Sequence, residues 1–479
     1  MLSSFGCGPD AFTALHLEDL LRDRPRLFLE FDEHRGEAGL VTRLEAFLDE
    51  VETYRRTHRD PIPRVSIPAL PKSRIRGAVY IPYFADHAHA FSGAFRAAGY
   101  RAEVLPPPTK EAEQAGCELC SGKECYPYVM MAGDLATLAR SGKVEQGDIF
   151  FFPGTTYFPC LLSQFRSGYR YLLKALGMDG LEVLTLHSKE LLRVVGIPAA
   201  VHLWQGLMAI DFLVKMVCAI RPYEVRRGET DRAHRTNLAE LEQAIAAGHP
   251  VEAFERCAQR LRDIPIRGDA DKPLVGVAGD VYTRINAFSN DNLFARLEQM
   301  GCEVWPAPFL VDAFDFGTRR YMRRAVMERS FITALTEGAL LFFTERTQRK
   351  LRSRLGGGFA RLDEPGFDEV LRLAAPYMEA EANSIVLLNV AKMAHFAQNG
   401  ADGVVHAMGL NCAVGTISAA LLGRIRADHD YIPMVNLVYG ETGGTNQRAR
   451  LEAFVHQVRR RAARTRNTGK KGEVLAVRV

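Results

Sequence analysis

Apolar residues follow two rhythms along this chain. Short, nearly unbroken apolar runs closed by Gly, Pro or Asp alternate with longer stretches in which apolar positions recur every three or four residues. The runs read as buried strands and the longer stretches as amphipathic helices. Near the start, RLFLEF (Arg26 to Phe31) is a strand candidate and LVTRLEAFLDEVETYRR a helix. After the breaker-rich RDPIPRVSIPALPKS, the clearest unit follows: GAVYIPYF as a strand, DHAHAFSGAFRAAG as a helix with Asp86 as its cap, and YRAEVLPPP as a second strand.

This β-α-β unit leads directly into AGCELCSGKECYPYV, which places Cys117, Cys120 and Cys125 on a loop after a strand. Such loops at one end of a parallel sheet are where open α/β proteins keep their sites. GDIFFFPG is a further buried strand, followed at once by TTYFPC and so by Cys160. Residues from about 200 to 265 read as helical, interrupted by RPYEVRRGETD. A second α/β unit starts at KPLVGVAGD, runs through NLFARLEQMG to CEVWPAP, and later GADGVVHAMGLNC sets a strand before Cys412. No strong repeat of fixed period appears. What recurs is a strand ending in a Cys-bearing loop, and two α/β domains with facing strand ends would bring Cys125, Cys160 and Cys412 together.

The length of 479 residues suits about three domains of ordinary size. The balance of 61 basic and 57 acidic residues points to neither a nucleic-acid nor a membrane partner. RRRAARTRNTGKK, near the end, reads as a solvated basic tail, because no aromatic residue is interleaved with its charges. The N-terminus lacks a secretory pattern, and no uninterrupted apolar run approaches about 18 residues, so a cytoplasmic protein is expected. In that reducing compartment nine cysteines are not expected to pair as disulfides.

The thiols admit several readings. A zinc ribbon needs two short-spaced pairs, and Cys117 with Cys120 supplies one. An iron-sulfur cluster accepts thiolates from distant loops. A dithiol pair should open a helix, whereas Ser-Gly and Tyr-Pro interrupt this stretch. Purely structural thiols remain the fourth reading. Cys218, Cys257 and Cys302 occupy apolar positions of two helices and a strand and read as core. Cys7, flanked by glycines in FGCGPD, stands either as a ligand or as a loop thiol.

Several motifs together resemble the 2-hydroxyacyl-CoA dehydratase and double-cubane cluster proteins, most of all the C-terminal half of large CoA-substrate-specific enzyme activase homologues. They are SGKECYPYVMMAGDL, FFFPGTTYFPC, WQGLMAIDFLVKM with RPYEVRRGETD, GDVYTRINAFSNDNLFARLEQMGCEVW, GADGVVHAMGLNCAVGTISAALLGRIR and IPMVNLVYGETGGTNQRARLEAF. The likeness spans most of the chain. It implies two flavodoxin-like (Rossmann-like) parallel-sheet domains holding an oxygen-sensitive iron-sulfur cluster, 4Fe-4S or double cubane, at their interface. Its ligands would be Cys125, Cys160 and Cys412. The expected divisions are an N-terminal α/β segment at 1–70, a first domain at 71–198, a helical connection at 199–270, a second domain at 271–458 and the tail at 459–479.

The same resemblance implies an ATPase activase of actin-like fold that feeds the cluster low-potential electrons. This chain carries no G-x-x-x-x-G-K-[ST] loop, so ATP is expected only through that separate polypeptide. SSFGCGPDAF looks like the end of a preceding homologous half, so Cys7 would complete a second cluster with cysteines of a partner chain. A homo- or hetero-oligomer is expected. PCLLSQFRSGY and GLNCAVGT depart from the family around Cys160 and Cys412 and keep the cysteines. Cys117 and Cys120 would be extra ligands or spare thiols.

Other polar residues have two uses each. Lys123 and Glu124 suit acid and base work or an exposed ion pair; His87 and His89 suit capping, surface or ligand roles. Arg284 and Asn290 suit an anionic substrate or loop hydrogen bonds. GETGGTNQ and LGGGF offer weak phosphate-binding turns. A relay or regulatory subunit with no substrate site, and a structural partner without redox function, stand as rivals to an enzyme.

Overall fold

The computed structural model describes residues 1–4, 6–32, 37–57, 75–154, 160–178, 180–185, 188–268, 272–309, 311–355, 361–441 and 446–467. Most of TTYFPC and of LGGGF and half of the GETGGTNQ turn lie outside the described residues, as does the chain from 468 onward.

The architecture is α/β with parallel sheets. A small N-terminal pair joins β1 (Leu2–Ser4) to β2 (Leu29–Phe31), so only half of RLFLEF is strand. β3 (Val79–Ile81), β4 (Ala102–Val104), β5 (Asp148–Phe151) and β6 (Leu181–Leu184) form one sheet in the order β4-β3-β5-β6. β7 (Leu274–Gly279), β8 (Glu303–Pro306), β9 (Gly403–Gly409) and β10 (Met434–Tyr439) form another in the order β10-β9-β7-β8. Both sheets therefore run second-first-third-fourth, the order of flavodoxin-like folds. β3, β5, β7 and β9 are buried along their whole length, which is why their sequences do not alternate. Gly279 ends β7 at φ 135°, where an added Cβ would lie 1.8 Å from Ala407 O of the neighbouring strand. Only glycine allows that approach.

Helices differ from the sequence reading in four places. His87, not Asp86, occupies the N-cap of the Ala88–Ala97 helix; Asp86 instead meets His234 Nε2 at 2.7 Å and accepts from Tyr83. YRAEVLPPP is not followed by a cysteine loop but by the Lys110–Leu119 helix, with Cys117 inside it and Cys120 at its C-cap. That helix packs on Tyr126–Arg140 through Gly116 and Gly133, whose added Cβ atoms would meet Val129 O at 2.1 Å and Ala112 O at 1.8 Å. The Ser188–Ile220 helix crosses the expected boundary at 198 and breaks at Gly196, φ 80° and ψ 162°, two residues before Pro198. Finally, Gln447–Asn467 is one helix, so the expected tail begins inside it; Val458 and Ala462 are buried, and Arg461 Nη1 donates to Asp430 O at 2.9 Å. Apolar positions among the arginines are what hold this segment against the second sheet.

The segment Glu190–Tyr223 is the one helix among the described residues long and apolar enough to cross a membrane, and 78% of its apolar window is buried within the protein. It packs across both halves of the molecule. Cys218, Cys257 and Cys302 lie in the core as expected.

His395, on Ser384–Gln398, meets the Trp305 ring edge-on at 5.5 Å. Burial, and secondarily Lys392, pushes its pKa from 6.5 down to about 4. The unfolded chain thus takes up a proton first as pH falls, and stability drains between about 6.5 and 4. The ring is partly exposed, so the loss is discounted to about 1–2 kcal/mol. His395→Gln is expected to lower less in melting temperature than wild type between pH 7 and pH 5, measured calorimetrically.

Candidate metal centre

In both sheets the strands are parallel, so their carboxyl ends share an edge. Loops from these edges meet. Asn286 Nδ2, following β7, donates to Tyr83 O at 3.0 Å and Phe84 O at 3.2 Å, following β3. Tyr126 N donates to Leu410 O at 3.0 Å, and Asn411 Nδ2 to Gly122 O at 3.0 Å. Phe309, following β8, stacks on Phe84 and on His87.

Cys125, Cys160 and Cys412 all line one cavity of about 330 Å³ between the two sheets. Each is the N-cap of a helix: Tyr126–Arg140, Leu161–Gln164 and Ala413–Ala420. Cys412 comes three residues after β9, and Cys160 comes after β5 across residues 155–159, which lie outside the described residues. Cys125 instead precedes the helix that leads to β5, so one of three expected strand-end cysteines is reached by a different route. Burial pushes all three thiols up, Cys125 and Cys412 most, and Asp280 adds to it. The thiols also raise one another: Cys160 acts on Cys125, and both act on Cys412. Backbone N–H groups pull the other way. Gly415 N donates to Cys412 Sγ at 3.4 Å, and the amides of Tyr128 and of Leu161 and Leu162 act on Cys125 and Cys160.

This donor set holds protons while uncharged and has N–H groups ready for sulfur anions. Bound metal deprotonates coordinating thiols outright, so the set suits a soft cationic centre. Among the described residues no group of three or more His, Cys, Asp or Glu has the arrangement of a metal-ion site. One zinc ion would draw thiolates to about 4 Å from one another. A multi-iron cluster takes one thiolate per iron and spreads them further.

Asp280, buried at the end of β7, escaped the sequence reading. Its Oδ1 accepts from Tyr282 N at 3.0 Å and Thr283 N at 2.7 Å, and its Oδ2 from Gly409 N at 2.7 Å. It thereby ties the β7 and β9 loops beside Cys412. The signal available was a carboxylate immediately after a buried strand. Asp280→Ala is expected to cost about 2–3 kcal/mol in urea unfolding, because three amides lose a charged acceptor.

The remaining candidates do not line the cavity. Cys7 caps the Gly8–Leu20 helix, and Gly8 is so close to Leu161 that an added Cβ would lie 2.7 Å from its Cδ1. Cys117 and Cys120 are raised by burial, with Glu441 a charged neighbour of both. Lys123 pairs with Glu30, whereas Glu124 accepts from Ser121 N and Oγ at 3.0 and 2.9 Å. His87 and His89 are neither exposed nor aimed at the thiols: they meet Asp211 at 3.0 Å and Glu242 at 2.6 Å. Arg284 donates to Gly279 O, Pro308 O and Phe309 O, and Asn290 to Thr283 O and Arg284 O, so both shape loops. No protein-family model matches the chain, and a search of curated proteins finds no match either.

Proposed function

We propose that this chain is the iron-sulfur component of an ATP-dependent reductase or 2-hydroxyacyl-CoA dehydratase-like system in the cytoplasm, served by a separate activase ATPase of actin-like fold. The observation that carries the reading is the convergence of Cys125, Cys160 and Cys412, from three distant loops, on one apolar cavity. A cluster held there would supply single electrons at low potential. The chain's own part is to hold and shield it. Three thiolates would ligate it; the three helix N-termini offset their charge; Asp280 fixes the two loops beside Cys412; and the apolar walls exclude water.

Between an enzyme and a relay subunit, the part of the cavity that runs past the thiols favours the enzyme, since a relay needs room for its cluster alone. The exposed hairpin of Val311–Met327 and Phe331–Arg354 supports an oligomeric or activase partner. Met327, Phe331, Ile332 and Leu335 there are each more than two-thirds exposed, which is unusual on a monomer. Cys7 is proposed to complete a second cluster with cysteines of a separate chain, and unchanged iron in Cys7→Ser co-purified with candidate partners would argue against it.

The deciding experiment is anaerobic purification with iron and sulfide analysis and electron paramagnetic resonance of the reduced protein. Bound iron with a cluster signal is expected; a colourless, metal-free protein after reconstitution overturns the reading. Turnover of a small molecule with a cognate activase and ATP then separates enzyme from relay.

A further inference from the structure

The cavity extends well past the thiols. Its walls include Leu191, Leu192, Trp204, Phe314, Leu340 and Phe343, from helices that contribute none of the three cysteines. Protein interiors seldom leave voids larger than a water molecule. A space of about 330 Å³ is in the range of small-molecule sites. Leu192 both lines it and is 41% exposed, so the cavity reaches the surface beside the Gly196 break.

Its chemistry is one-sided. Eight phenylalanines line it together with one tryptophan and one tyrosine, while Asp280 is the only charged side chain among the described lining residues. Both Asp280 oxygens already accept backbone N–H groups. A carboxylate or phosphate group entering here would lose its water and meet no opposite charge among the described lining residues, which is strongly unfavourable. Ring faces and edges instead favour flat or branched carbon skeletons.

We infer that the cavity binds an uncharged, predominantly apolar small molecule, aromatic or branched, and rejects its anionic counterpart. As a statement about substrate class this rests on the redox reading above. As a statement about binding it stands on the cavity alone, so metal-free protein tests it separately.

The test is calorimetric titration with 4-phenylbutanamide and with 4-phenylbutanoate, two probes of nearly equal size, read in parallel by Trp204 emission. The amide is expected to bind both metal-free and iron-loaded protein, on the order of a hundredfold more tightly than the carboxylate. Ala200→Phe and Val201→Phe, each placing a ring in the cavity, should abolish amide binding, with circular dichroism confirming the fold. Equal affinity for the two probes overturns the inference. So does amide binding that survives in either folded variant, absence of amide binding, or binding confined to iron-loaded protein. Should both variants fail to fold, the contrast between amide and carboxylate on the wild-type chain still decides. Failure to bind iron leaves this test intact, since it then runs on the same chain without metal.

Discussion

Alanine at Cys412 is expected to lower iron affinity by more than about a hundredfold, beyond what loss of an outer supporting residue costs at a metal site. Cys125→Ala and Cys160→Ala should behave alike. Each removes one of three thiols that share a cavity and stand at helix N-caps. Cys117→Ala and Cys120→Ala should retain iron, because neither residue lines that cavity. The measurement is iron and acid-labile sulfide per chain after anaerobic reconstitution. Circular dichroism separates loss of ligand from loss of fold, since alanine replaces a buried thiol with little volume change. Iron content that is equal in all five variants would remove the three-thiol centre from consideration.

A second large effect is expected far from the thiols. Glu364 is shared by Lys215, on the long Ser188–Ile220 helix, and Lys392, on Ser384–Gln398, and all three side chains are at most 10% exposed. Lys215 Nζ also donates to Leu362 O at 3.0 Å. Glu364→Gln leaves two ammonium groups in place without the carboxylate they share, and should cost about 3–5 kcal/mol. That is a large share of the roughly 5–15 kcal/mol that holds a typical fold. Lys392→Met should cost clearly less, because a one-to-one pair remains and a thioether chain packs well among apolar neighbours. Urea unfolding of the two variants tests the order. If Lys392→Met proved the more damaging, charge balance would not be what the triad provides.

These two predictions draw on different kinds of information. The cysteines were visible as residues, and the apolar runs ahead of Cys160 and Cys412 marked two of them as strand-end thiols. Legibility there came from a simple cause: a strand buried on both faces must be almost wholly apolar, and the first polar residues after it fall at the sheet edge. The sequence pattern puts Cys125 after a strand, whereas it caps a helix. The intervening KEAEQAGCEL forms its own helix because Gly116 lets it approach Tyr126–Arg140. The local sequence shows the glycine and not the partner it allows. The prominence of Cys117 and Cys120 in the sequence says little about their place for the same reason, since closeness in sequence does not tell which side of a helix faces a cavity.

Polar residues were the least legible. For Arg284 the sequence leaves an anionic substrate and loop hydrogen bonds equally open, and the structure shows the second; His87 does stand at a helix N-cap, as one reading had it, yet is buried against Asp211 and not at the surface. Asp280 carries no distinctive signal in the sequence, because a single carboxylate after a strand is commonplace. Its role depends on Gly409, 129 residues away.

The sequence by itself determined most of the periodic elements, the α/β class, the core assignment of Cys218, Cys257 and Cys302, and that Cys160 and Cys412 come after strands. Those properties follow from local steric preference and from the period at which apolar residues recur. Only the tertiary structure decided that the carboxyl edges of the two sheets meet, that three of nine thiols share one cavity, and that Asp280 is the one charged side chain among its described lining residues. Such outcomes depend on contacts between residues far apart in the chain, and no local pattern specifies them.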